Sequence, residues 1–245
     1  MIVNATDLKN NLGKYLRLCA REDIIITSNG RKIAKLTAWE KYEIPIVTRE
    51  ENLREPVEQY KIAPRKISYE EFLAISENSE ERYEYIDGVL YLLAAPKAYH
   101  QKVISELHYL FYNWFQGKRC QPFFAPFDIT LKRSGEQINV VQPDLMVICD
   151  LEENLNTKGY YMGVPALVVE VISENTRGID FVKKLDLYMS TGVNEYWIIN
   201  PFNLEVSIFL FEAQNISKNN TYKNRETAIS FIFPGLEVSL ERIFA

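Results

Sequence analysis

The sequence predicts an α+β (α/β) fold in two parts: a mixed central sheet flanked by helices, preceded by a small β-α-β-β unit. Three observations carry this reading. Two Val/Ile-rich runs, Leu145-Met146-Val147-Ile148 and Leu167-Val168-Val169-Glu170-Val171-Ile172, have the apolar character of buried strands. Strand-like and helix-like segments alternate along the chain, each bounded by Gly, Pro or Asx turns. The first forty or so residues have a pattern of their own, too short for a secure core.

Taken in order, Ile2-Val3 is a short β piece and Asn4 an N-cap, with Asp7 three residues on. Leu8, Leu12, Tyr15, Leu16 and Cys19 follow helical spacing. Ile24 to Thr27 is a strand, Ser28-Asn29-Gly30 a tight turn, and Arg31 to Thr37 the return strand. A unit of this size needs a second copy to complete its core, so a homodimer is expected. Residues 43–66 hold Pro45, Pro56 and Pro64 among charged residues and read as a linker.

The second domain, 67–245, opens with a capping box, Ser68 and Glu71, ahead of a helix. Tyr83 to Tyr91 is a hairpin around Asp87-Gly88. A long helix follows Pro96 and ends at Gly117. Strands are expected around 121–131, 140–148 and 166–172, then a helix over 180–191 closed by Gly192. Strands at 195–200, 204–211 and 228–233 complete the sheet.

Composition narrows the function classes. No apolar run approaches the length of a membrane span, and the N-terminus lacks the pattern of a signal peptide, so a cytoplasmic protein with no membrane partner is expected. Three cysteines, far apart and without a Cys-x-x-Cys pair, speak against both a disulfide framework and a zinc site. His100 and His108, the only histidines, stand eight apart on one helix, which suits no histidine metal site. The net charge is −5, but residues 1–40 carry seven basic against four acidic residues, leaving −8 on the rest. A basic head on an acidic body suits a protein whose head meets nucleic acid.

The chemistry lies in the carboxylates. Asp144 opens one apolar run and Glu170 sits inside another. A carboxylate buried in such a run is costly without a partner. Two on neighbouring strands need a cation between them or a shared proton. Magnesium is held in this way, by one or two carboxylates plus substrate phosphates. Metal-dependent phosphodiester chemistry, with Mg²⁺ or Mn²⁺, is therefore expected.

Residues 1–42 resemble the Phd/YefM (prevent-host-death) antitoxins, on Val3-Asn4-Ala5-Thr6-Asp7-Leu8-Lys9-Asn10-Asn11-Leu12 and Ile24-Ile25-Ile26-Thr27-Ser28-Asn29-Gly30. The resemblance implies a dimerisation module that binds operator DNA, with Lys9 and Arg31 on phosphates. The plainer alternative is that these are solvated charges on a dimerisation unit. Where such antitoxins begin their toxin-neutralising tail, this chain runs into another domain, which leaves a toxin partner open.

Residues 65–240 resemble the Uma-type restriction endonucleases, a branch of the PD-(D/E)XK nuclease superfamily. The matching residues are Tyr83 to Gly88, Pro143-Asp144, Val169 to Ser173, Thr176-Arg177, Asp180, Lys184, Tyr188 and Gly192 to Trp197. The resemblance implies a restriction-endonuclease-like core. The superfamily's usual lysine position, two residues after the second carboxylate, is here Ile172. The Uma-type pattern moves the lysine to the next helix, where Lys184 stands. At about 100° per residue, Lys184 borders the apolar face of Phe181, Leu185, Tyr188 and Met189, while Lys183 points toward solvent. The alternative for Lys184 is an i,i+4 surface pair with Asp180.

On this reading Asp144 and Glu170, with the backbone carbonyl of Ile172, are the metal ligands. Lys184 orients water or stabilises developing charge. Glu84 is either an outer-shell or second-metal contact or a solvent-facing hairpin carboxylate. His100 either touches a phosphate or caps and packs its helix, and Gln142 is a weaker candidate. Trp197 and Tyr196 read as core residues rather than base-stacking platforms. The expectation is a DNA endonuclease placed by a dimeric antitoxin-like head. The rival is a non-catalytic DNA-binding regulator whose body is a nuclease-like scaffold.

Overall fold

A computed structural model describes residues 1–10, 12–19, 22–28, 30–37, 66–133, 135, 137–173 and 179–245. It separates into two compact units, Met1–Lys66 and Ile67–Ala245. Most of the segment 43–66 read as a linker lies outside the described residues, as do Thr176 and Arg177.

In the first unit, β1 (Ile2–Asn4) leads into α1 (Ala5–Asn10) and α2 (Leu12–Cys19), then β2 (Ile24–Ser28) and β3 (Arg31–Leu36). The Asn4 side chain accepts from the backbone N–H of Thr6 at 2.9 Å, so the expected cap is made. The helical spacing is met over Ala5–Asn10 and Leu12–Cys19, with residue 11 outside the described residues. β1 pairs parallel with β2, and β2 antiparallel with β3. Val3, Tyr15, Cys19, Ile24 and Ile26 form its small core.

The second unit begins with α3 (Tyr69–Glu77), whose capping box is complete: Ser68 accepts from Glu71 N–H, and the Glu71 carboxylate accepts from Ser68 N–H. β4 (Tyr83–Ile86) and β5 (Val89–Leu92) form the hairpin. Asp87 and Gly88 both have positive φ, 53° and 84°, the backbone of a type I′ turn. α4 (Ala98–Phe115) follows.

Where the sequence pattern predicts two strands over 121–148 there are four: β6 (Gln121–Phe124), β7 (Ile129–Lys132), β8 (Ile138–Val141) and β9 (Leu145–Ile148). Pro143 has no N–H to give a ladder, and the chain changes sheets there. β8 joins a four-stranded sheet in the order β5-β4-β8-β7, and β9 joins the main sheet.

After α5 (Leu151–Asn154) come β10 (Leu167–Val171), a π-helical turn over Ile179–Lys184, α6 (Leu185–Thr191) and β11 (Glu195–Asn200). The chain closes with β12 (Glu205–Glu212), β13 (Asn215–Lys223), β14 (Thr227–Ile229), β15 (Glu237–Ser239) and α7 (Leu240–Ile243). The main sheet has the order β13-β12-β11-β10-β9-β6. It is mixed: β10 and β11 are parallel and its other pairs antiparallel. β14 does not join this sheet, as the pattern predicts, but pairs with β15.

The period-2 alternation of strands sorts side chains by face. Leu145, Val147, Leu167, Val169, Val171, Trp197 and Ile199 form one core with Val103, Leu107, Phe111 and Phe115 of α4. Glu170 alternates with Val169 and Val171 and so faces the other way, where Tyr188 of α6 lies edge-on to Tyr196 at 4.9 Å. Trp197 and Tyr196 are fully buried, as expected of core residues.

One expectation is overturned. Cys120 and Cys149 form a disulfide. The β6–β9 register places Gln121 opposite Ile148, so the next pair outward is Cys120 and Cys149. Distance along the sequence hides what antiparallel pairing brings together; in a reducing compartment the pair would stand as two adjacent thiols. Among the described residues no helix is long and apolar enough to cross a membrane.

Candidate active site

The site sits where the chain crosses from the four-stranded to the six-stranded sheet, at Gln142-Pro143-Asp144. β4 brings Glu84 from one sheet, β10 brings Glu170 from the other, and the π-helical turn brings Lys184. Lys184 Nζ lies 2.8 Å from Glu170 Oε1 and 2.9 Å from Glu84 Oε1. All three side chains are buried, at 6% exposure or less. Glu84 is thus no solvent-facing hairpin residue, and Lys184 is not on the surface. Two carboxylates from different sheets thus converge on one ammonium.

Each carboxylate is held by a second donor. Tyr188 gives its hydroxyl to Glu170 Oε1 at 2.7 Å. Burial, and then the charges of Glu170 and Glu84, push the Tyr188 phenol well above its ordinary pKa, so it stays a donor. Gln142 gives its backbone N–H to Glu84 Oε1 at 3.0 Å, tying the hairpin to the chain crossing.

Asp144 stands just ahead of β9 and is partly exposed. Its Oδ2 accepts from Val171 N–H at 2.8 Å, so its carboxylate is anchored to the residue after Glu170. His100, buried near the start of α4, places Nε2 2.9 Å from the Val171 carbonyl and 3.3 Å from Asp144 Oδ2. Both neighbours only accept, so Nε2 carries the proton and the ring braces Asp144. Ile172 follows β10 with its side chain fully buried and its N–H given to Ile199 O at 2.8 Å.

Lys183 does not point toward solvent as the helical wheel predicts. It is half-buried and gives a hydrogen bond to the Tyr91 hydroxyl at 2.8 Å. The wheel assumes α-helical turns, whereas this segment is π-helical, which widens the turn and rotates its residues. Lys9 and Arg31 are exposed in the first unit.

Among the described residues no group of three or more His, Cys, Asp or Glu is arranged to hold a metal ion. The ligands expected from the sequence, Asp144, Glu170 and the Ile172 carbonyl, are oxygen donors, the type a hard divalent cation takes. Tyr188 and the Gln142 N–H are supporting groups that the sequence does not reveal. Tyr188 reads as a packing residue by spacing, and a backbone donor has no sequence signal.

Residues 69–241 match the Uma2 family model, described as a putative restriction endonuclease. Residues 1–45 match the model of the Phd_YefM antitoxins of type II toxin-antitoxin systems. The uncharacterized protein slr1290 of Synechocystis sp. is 29% identical over 145 residues, covering 59% of this chain and 74% of that protein. The uncharacterized protein sll1609 from the same organism is 27% identical, covering 54% and 73%. A crystal structure of a putative nuclease belonging to DUF820, from Anabaena variabilis, superposes with a TM-score of 0.58 at 18% identity. That match covers 73% of this chain and 97% of the other, and shows a shared fold.

Proposed function

The chain belongs to the Uma2 family of restriction-endonuclease type, with a Phd/YefM antitoxin domain at its N-terminus, and from that premise we propose a divalent-metal-dependent endonuclease that hydrolyses DNA phosphodiester bonds in the cytoplasm. The observation that carries the reading is the buried Lys184 held between Glu84 and Glu170, with Asp144 anchored to the adjoining Val171.

Asp144, Glu170 and the Ile172 carbonyl would hold Mg²⁺ or Mn²⁺, which when bound supplies Lewis-acid polarisation of the scissile phosphate and a lowered pKa for water. The protein's own groups do the rest. Lys184 is fixed by two carboxylates, so its charge is set in place before substrate arrives and meets the developing negative charge without reorganisation. Tyr188 and His100 position Glu170 and Asp144 respectively.

We assign 1–42 to dimerisation and DNA placement, 43–66 to a linker and 67–245 to the nuclease. Lys9 and Arg31, doubled in a homodimer, supply the phosphate contacts of the head. The test is cleavage of plasmid and linear DNA by the full-length protein with Mg²⁺ or Mn²⁺. Activity should vanish in Asp144→Asn and Glu170→Gln proteins that keep their circular dichroism. Equal cleavage by the wild type and both variants would sink the assignment.

A further inference from the structure

The turn over Pro201-Phe202-Asn203-Leu204 carries its apolar side chains outward, against the usual chemistry of a turn. Phe202 is 49% exposed and Leu204 43%. Leu204 has a φ of 49°, in the left-handed region that glycine or asparagine enters at least cost. Its carbonyl accepts from Asn224 N–H at 3.1 Å, so the conformation is held. Folding gains little by straining the backbone to put a leucine in water, and strain of this kind collects at functional sites.

The turn is built before any ligand arrives. Asn200, buried at the end of β11, accepts through Oδ1 from the backbone N–H of Phe202 at 3.1 Å and of Asn203 at 3.3 Å. Tyr99, at the start of α4, lies edge-on to the Phe202 ring, with centroids 5.6 Å apart. These two rings, with Leu204 and Phe244, border an open cavity of about 290 Å³. Half of Phe202 faces solvent, and a fixed, accessible ring needs little ordering on binding.

The cavity lies at the active-site end of the main sheet. Tyr99 precedes His100, which contacts Asp144. Ile199 stands opposite Val171, whose N–H holds the same Asp144. From Ile199 to Phe202 the chain spans roughly 10 Å at most, and one strand spacing adds about 5 Å. That is on the order of four or five base steps along a nucleic-acid strand. The exposed Lys97 and Lys102 flank Tyr99 on α4, whose first turn carries no acidic residue. Lys102 also donates to the Ala245 carbonyl beside the cavity. Flat apolar surface within a positive surround suits a polyanion that carries planar groups.

We propose that Tyr99 and Phe202 form a stacking platform for an unpaired base of the DNA strand to be cut, an inference that rests on the nuclease reading above. The rings offer stacking rather than hydrogen bonds to a base edge, so any base serves. A duplex hides its base faces in its own stack, so the platform takes single-stranded or locally opened DNA. It grips the strand a few nucleotides from the phosphate at Asp144.

The test uses metal-free, full-length protein and two strands of equal length and charge: single-stranded oligothymidylate and its fully abasic counterpart. Phosphate contacts are common to both. Fluorescence anisotropy reads the affinities. The wild type should bind the base-bearing strand at least about fivefold more tightly. Phe202→Ala should lose that preference with an unchanged salt slope, since no charge is removed. Phe202→Trp, which keeps a flat ring, should restore it. Both variants alter a half-exposed side chain, and their melting temperatures check the fold. Equal binding of the two strands by the wild type would overturn the proposal and leave the turn to a protein partner. Ala and Trp variants that behave alike would overturn it too. No bond is cut in this measurement. A base preference without cleavage of any DNA would keep the platform and sink the nuclease reading, whereas cleavage with no base preference would sink the platform alone.

Discussion

Tyr188 donates its hydroxyl to Glu170 Oε1, the same oxygen that receives Lys184 Nζ. One carboxylate oxygen thus takes two donors from residues four apart in sequence, on a single stretch of helical chain. The phenol fixes the carboxylate rotamer, and the lysine supplies charge. Tyr188→Phe keeps the ring and removes the donor. It should lower stability by about 1.5–3 kcal/mol, as for a hydrogen bond to a charged group, read from urea denaturation. Cleavage should slow while KM for DNA stays put; an unchanged rate would show that the hydroxyl has no part in setting Glu170.

The two adjacent lysines should part company. Lys184→Met should slow cleavage at least about tenfold, on the order of 1.4 kcal/mol of transition-state stabilisation. It also strands two buried carboxylates, a loss of about 3–5 kcal/mol. Lys183→Met gives up the hydrogen bond from its ammonium to the Tyr91 hydroxyl and should leave the cleavage rate little changed. Similar kinetics for both would refute the separation of roles.

Gly163 should tolerate no side chain. A Cβ there would stand 2.5 Å from the Tyr161 hydroxyl oxygen and 2.7 Å from its Cζ, against a ring that is fully buried. Gly163→Ala should destabilise by about 1–3 kcal/mol, a fall in Tm of roughly 2–4 °C per kcal/mol for a domain of this size. A melting temperature at or above that of the wild type would show that the Tyr161 ring is free to move.

Alkaline pH should expose the buried phenols. Burial, then the charges of Asp87 and Glu84, raise Tyr91 to about 12, and Tyr188 and Tyr161 also lie above their ordinary value. The folded state keeps protons that the unfolded chain loses near pH ~10. This contribution to stability is therefore full below about pH 10 and falls away as pH rises through about 12. Phenolate absorbance should show these tyrosines titrating late, and urea midpoints should fall between about pH 10 and 12. Titration of all 15 tyrosines together near their ordinary pKa of 10 would contradict it.

The head should contribute to DNA affinity through phosphates. Lys9→Ala and Arg31→Ala should each lower the salt slope of DNA binding by about one for every phosphate no longer neutralised, leaving metal affinity unchanged. Removing residues 1–42 should give a more monomeric protein with weaker binding. A truncated protein that is still dimeric and binds DNA as before would assign both roles elsewhere.

What the chain reveals by inspection is what local chemistry decides. Ser68 with Glu71, and Asp87 with Gly88, act within three or four residues, and both features form as read. The apolar runs around Asp144 and Glu170 are paired antiparallel strands, because burial on both faces leaves a continuous hydrophobic signature. β13 leaves no such signature: it is a largely exposed edge strand, Asn215–Lys223, with no alternation to see. The Cys120–Cys149 bond depends on a register between strands far apart in sequence. The roles of Gln142 N–H and Tyr188 follow only once two sheets and a π-helical turn meet.

Glu84 belongs to one sheet and Glu170 to the other, and Lys184 grips both. The group assigned to chemistry is therefore also a rivet between two layers of the fold. Removing Lys184 strands two buried carboxylates, and removing either carboxylate cuts the link between the two sheets, so each single step away from the set carries a folding penalty whether or not the protein cuts DNA. A descendant without a substrate would still be selected to keep this trio. In this lineage, then, loss of activity should be sought first at the partly exposed Asp144, which can change without pulling the rivet.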